Sequence, residues 1–225
     1  MLNRAETLEQ LARLCRREGG VPPEIHATGS AALDAVLPHG GWQSGTIVEL
    51  MPTQIGVGEF RLLMPALARI TNNDRHVALI SPPYIPFAPA LDRHGVRLDR
   101  LLIVRAEKNN DVLWAIEQTL RCKSFGAVVG WPENIKDRDT RRLQLAAEAG
   151  RSVGFLYRPT AAALEASPAA MRLQLRREKS GDLQIDILKC RGIRSGQTVC
   201  LANQEALPTS SLVDAVSDQS LVTSH

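Results

Sequence analysis

Aromatic side chains are scarce in this chain: three Trp, two Tyr and four Phe make 4% of 225 residues. That excludes a base-stacking surface of the kind that RRM and OB domains use. No apolar run approaches the ~20 residues needed to span a bilayer. The N-terminus carries no apolar core of a signal peptide, so the expectation is a cytoplasmic protein with no membrane partner. Cysteines are few (Cys15, Cys122, Cys190 and Cys200) and form neither a Cys-x-x-Cys pair nor a matched spacing with histidine. Zinc is disfavoured on that spacing, and the four read as buried free thiols with no metal site. Lysine is absent until Lys108, and no Lys or Arg follows Arg194.

What remains is ordinary globular composition, 44% hydrophobic and 23% charged, enough for one medium α/β domain and a tail. A net charge of +3 is too small to imply a nucleic-acid partner. Its distribution is uneven. From Arg172 to Arg194 seven basic residues stand against three acidic ones, while Glu205, Asp214 and Asp218 give the last stretch a charge of −3.

The periodicity predicts an amphipathic helix over 4–18, with Leu8, Leu11 and Leu14 on one face. Gly19 and Gly20 stop it, and it reads equally as a helix docked on its own domain or an arm for another subunit. A connector follows, with a short helix at Ser30–Val36 and a strand at Thr46–Leu50. Phe60–Ile70 reads as a helix whose regular part begins near Met64, because Pro65 is tolerated only in a first turn. Strands at Val77–Ser81, Leu101–Arg105, Ala127–Trp131 and Val153–Arg158 alternate with helices at Pro86–His94, Asn109–Lys123 and Arg138–Gly150. Short apolar strands alternating with helices predict a parallel sheet covered on both faces. Beyond Met171 the helices cease. Arg172–Arg177, Leu183–Cys190 and Thr198–Ala202 read as an antiparallel extension, turning at Ser180-Gly181-Asp182 and Ser195-Gly196. The expected organisation is a helix and linker over 1–24, a domain over 25–202 and a flexible tail over 203–225.

The chain is organised around Gly45–Leu63. An apolar strand, a turn containing Gly56 and Gly58, and the start of a helix form the arrangement in which a P-loop holds phosphates. The chemistry is missing, since no lysine is at hand to reach them.

The run Thr28-Gly29-Ser30-Ala31-Ala32-Leu33-Asp34, the Gly40-Gly41 pair and the strand Gly45–Leu50 resemble the opening of the RecA ATPase core. Gly56-Val57-Gly58-Glu59, Val128-Val129-Gly130-Trp131 and Val153-Gly154-Phe155-Leu156-Tyr157-Arg158-Pro159 resemble two RecA-derived groups, ImuA and the division inhibitor SulA. The long N-terminal part and the extra C-terminal strands favour ImuA. Relative to RecA, the first P-loop glycine falls on Pro52, the lysine on Gly58, the magnesium-binding threonine on Glu59 and the Walker B aspartate on Gly130. Phosphoryl transfer depends on positioned charge, so these losses predict a degenerate site with no cofactor and no catalysis.

The fold expectation is therefore a RecA-like α/β core, a mostly parallel sheet flanked by helices. The ImuA resemblance implies an accessory scaffold of SOS-induced translesion synthesis. Its partners would be an ImuB-type Y-family-like polymerase subunit, an error-prone C-family polymerase and RecA, with a weak, salt-sensitive DNA contact. The alternatives are a SulA-like inhibitor that binds FtsZ, and a divergent ATPase whose lysine comes from a neighbouring subunit. Candidate partner contacts are Leu8, Leu11 and Leu14; Tyr84 and Phe87 in the proline-rich segment 81–89; and Arg176, Arg177, Lys189, Arg191 and Arg194. Trp131 is expected to fill the emptied nucleotide pocket.

Overall fold

The computed structural model describes residues 24–54, 59–192 and 196–202. The expected N-terminal helix and C-terminal tail lie outside that range, as do Leu8, Leu11, Leu14, Gly56, Gly58 and Arg194.

The first ordered feature is a local device built by Thr28–Asp34. Ser30 caps α1 (Ala31–Val36), its Oγ accepting the Leu33 N–H at 3.3 Å. Asp34 reaches back to accept the Thr28 N–H at 2.9 Å. Such side-chain acceptors satisfy N–H groups that the first turn leaves unpaired. Gly29 sits at φ 86°, and a Cβ there would lie 2.5 Å from the Pro65 ring. A two-residue ladder of β1 (Ile25–His26) and β2 (Trp42–Gln43) closes this segment, a pairing too short for periodicity to reveal.

From there the chain alternates β3 (Thr46–Pro52), α2 (Met64–Asn72), β4 (His76–Ile80), α3 (Ala88–Arg93), β5 (Leu101–Val104), α4 (Asn109–Arg121), β6 (Phe125–Gly130), α5 (Asp137–Gly150) and β7 (Val153–Tyr157). It finishes on β8 (Met171–Arg177), β9 (Leu183–Cys190) and β10 (Gln197–Leu201). All lie in one eight-stranded sheet, in the order β10-β9-β8-β3-β7-β6-β4-β5. Six strands, from β8 to β5, run parallel, while β9 and β10 add antiparallel. The expected mixed α/β sheet with its antiparallel extension is present, although β8 itself joins in parallel.

Period-two alternation sorts the strand residues into two apolar layers. Val48, Leu50, Leu79, Val129 and Phe155 face α1, α2 and α3, with Leu33, Leu67, Ile70 and Leu91. Ile47, Ala78, Ile80, Val128 and Leu156 face α4 and α5, with Ile116, Leu120, Leu143 and Ala147. Helix α2 begins at Met64 with Pro65 in its first turn, where the missing N–H costs nothing. Strand β4 stops at Ile80 because Ser81 adopts a left-handed φ of 51°. No helix among the described residues is long and apolar enough to cross a membrane. Cys190 is free and buried, Cys200 is free but exposed, and Cys122 is disulfide-bonded, which corrects the reading of four buried free thiols.

Candidate functional site

At the C-terminal edge of the parallel sheet, β3 ends at Pro52, β4 at Ile80, β6 at Gly130 and β7 at Tyr157. Open α/β sheets place their ligands there. Here aromatic rings gather instead. Trp131 follows β6 directly, its N–H donating to the Ile80 carbonyl at 3.1 Å. Its ring stacks on Tyr157 with centroids 4.8 Å apart and planes 3° from parallel, and Phe60 lies 6.2 Å away. Phe60 precedes α2, immediately after Glu59. Burial, then the Glu59 carboxylate, push the Tyr157 phenol well above its usual pKa. Among the described residues its hydroxyl has no hydrogen-bond partner. The edge thus presents a carboxylate and aromatic surface, and a carboxylate repels phosphate. The end of β6 is equally closed. Gly130 is fully enclosed in β6, and a Cβ on it would come within 2.5 Å of Ile116 Cδ1.

Below this edge lies a buried ionic knot that the motif comparison missed. Glu49 is fully buried at the centre of β3. Its carboxylate accepts from Arg158 at 3.0 Å, Arg172 at 2.8 Å and the Ser167 hydroxyl at 2.8 Å. Arg158 reaches on to Glu165 at 3.0 Å, and Arg172 donates to the Glu165 carbonyl at 2.7 Å. Three adjacent strands and the β7–β8 connection are thus tied to one carboxylate. The signal was present in the sequence, as a lone acid within Ile47-Val48-Glu49-Leu50-Met51 can enter a core only if paired.

Several of the basic side chains between Arg172 and Arg191 are held within the fold. Arg172 is consumed by Glu49, and Arg176 pairs with Asp186. Lys189 Nζ donates to the Ser167 carbonyl at 2.7 Å. Arg177 follows Arg176 on the strand and so takes the opposite face, while Arg191 stands exposed after β9. Tyr84 and Phe87 are exposed in the loop between β4 and α3, with Ile85 between them. Pro52 closes β3, its carbonyl accepting from the Thr160 hydroxyl at 2.6 Å.

Residues 45–154 match the family described as "Cell division inhibitor SulA". Among curated proteins, the chain is 30% identical over 115 residues to the cell division inhibitor SulA of Photorhabdus laumondii, covering 51% of this chain and 65% of that protein. It is 30% identical over 106 residues to SulA of Edwardsiella piscicida, 47% of this chain and 63% of the relative. SulA of Serratia marcescens is 25% identical over 119 residues, 53% and 71% respectively. The chain thus spans less than two thirds of the first two relatives, and all three matches fall on about half of it.

The chain is SulA-like over this stretch, and the finer likeness to ImuA is not supported. The matches overturn the expectation of a translesion accessory factor. They are to division inhibitors, and none of them supports an ImuB-type subunit, a C-family polymerase or RecA as partner.

Proposed function

We propose that this chain is a SulA-like cell-division inhibitor, a non-catalytic protein that acts by binding the division GTPase FtsZ. The observation that carries the proposal is the SulA match over 45–154, which runs from the start of β3 into β7 and takes in Phe60, Gly130 and Trp131, with Tyr157 just beyond it. The aromatic stack supports contact rather than turnover. A phosphoryl-transfer site must present positive charge to the transferring group, and this edge offers Glu59, Gly130 and a Trp131–Tyr157 stack. A RecA-like origin is supported by the central place of β3, from which the chain leaves toward α2 at the turn where a P-loop would lie. The sheet edge is then a scaffold retained after its ligand was lost.

The test is FtsZ assembly. Purified chain added to FtsZ and GTP at equal concentration is expected to lower both sedimentable polymer and GTP hydrolysis, with magnesium-ATP changing neither effect. Overproduction in a rod-shaped host is expected to give filamentous cells. Unaltered polymer and normal cell length at several-fold excess of the chain would overturn the proposal.

A further inference from the structure

Among the described residues, the loop between β4 and α3 concentrates the exposed apolar surface. Tyr84 is 67%, Ile85 79% and Phe87 66% exposed. The other exposed large apolar side chains among the described residues (Ile25, Leu98, Ile103, Leu145 and Leu164) are scattered along the chain, which is ordinary for a globular surface. Three such residues within four positions are not ordinary. An aromatic side chain offers ~150–250 Å², so Tyr84 and Phe87, each about two-thirds exposed, present roughly 250 Å² together, and Ile85 adds aliphatic surface between them. The sum reaches the few hundred Å² typical of a functional patch.

Two further features say what would cover it. From Ser81 to Leu91 the chain carries no side chain that is charged at neutral pH. The complementary surface must therefore be apolar, since a charged one would be desolvated without compensation. Pro82, Pro83, Pro86 and Pro89 fix φ at four positions and bias the residues before them away from helix. The Ser81 hydroxyl also anchors the root of the loop, accepting the Ala106 N–H at 3.0 Å. A ridge held this way loses little conformational entropy on docking. The loop also lies within residues 45–154, the part of the chain shared with division inhibitors.

We infer that Ser81–Phe87 is the ridge by which this chain enters an apolar cleft of the division GTPase, with Tyr84, Ile85 and Phe87 as its anchors. This rests on the function proposed above. The experiment measures FtsZ affinity and inhibition for the unsubstituted chain, for Tyr84→Ser/Ile85→Ser/Phe87→Ser, and for Leu145→Ser. Leu145→Ser removes an equally exposed apolar side chain elsewhere in the shared region. A fourth protein, Pro83→Gly/Pro86→Gly, keeps the anchors and loosens the ridge.

The expected result is about a hundredfold loss of affinity for the triple variant, with its melting temperature unchanged because the replaced side chains are exposed. Leu145→Ser should bind as the unsubstituted chain does, and the double glycine variant should lose several-fold. Equal inhibition by the triple variant and the unsubstituted chain overturns the inference and leaves the proposed function standing. Equal losses from the triple variant and Leu145→Ser also overturn it. An unsubstituted chain that neither binds nor inhibits FtsZ overturns both.

Discussion

Single residues with buried charge or a suppressed proton govern how this fold responds to mutation and to pH. Glu49 has two arginines and a hydroxyl directed at it inside the sheet. Glu49→Gln keeps the shape but leaves Arg158 and Arg172 short of a counter-charge, a loss of about 3 kcal/mol for a buried pair broken on one side. Urea unfolding at neutral pH is expected to show that loss as a lower midpoint with the slope retained. His26 is the pH-sensitive counterpart. It is buried beside Ser44, whose Oγ lies 3.2 Å from its Nε2. Burial, then the charges of Arg75 and Arg69, push its pKa down to about 4. An unfolded chain takes up that proton near pH ~6.5. The stability from keeping His26 neutral is therefore complete above that pH and drains away as pH falls toward 4. The window is worth roughly 3 kcal/mol. Unfolding curves between pH 7 and 4 are expected to flatten in His26→Gln relative to the parent. Parallel slopes in the two proteins would remove His26 as the cause.

Within the elements, β6 shows most directly how packing restricts substitution at the sheet edge. Gly130 faces Ile116 of α4, and Trp131 turns to the other layer to stack on Tyr157. Gly130→Asp would place an ionisable group against Ile116 and Leu156, where it has no partner. The expected cost is at least about 3 kcal/mol, read as a lower melting temperature, with no gain in ATP hydrolysis. A variant as stable as its parent would mean that the α4 layer yields more easily than its packing indicates. The elements themselves were largely readable. Val112, Ile116 and Leu120 recur at helical spacing and all are buried in α4, and Pro65 marked the start of α2. Strand ends were less so. Ser81 belongs to the predicted strand by its neighbours, yet a left-handed φ removes it from β4, a choice made by the Ala106 backbone groups that bond its hydroxyl.

For the molecule as a whole, the sequence by itself determined the alternation of strands and helices, the antiparallel close, and the lack of a lysine before Lys108. All three follow from local spacing and residue type, which a linear reading can see. It also carried two family likenesses at once, and the features that favour ImuA, the number of strands and the length of the N-terminal part, say nothing about a partner. Tertiary structure alone decided where charge goes. Arg172 and Arg176 both belong to the basic stretch 172–194, and strand pairing set one against Glu49 and the other against Asp186. It alone brought together Phe60, Trp131 and Tyr157, which are separated by dozens of residues and meet because β6, β7 and the start of α2 end at the same edge. The physical reason is common to both. Burial and pairing are properties of strand order, and strand order arises from contacts between segments far apart in the chain.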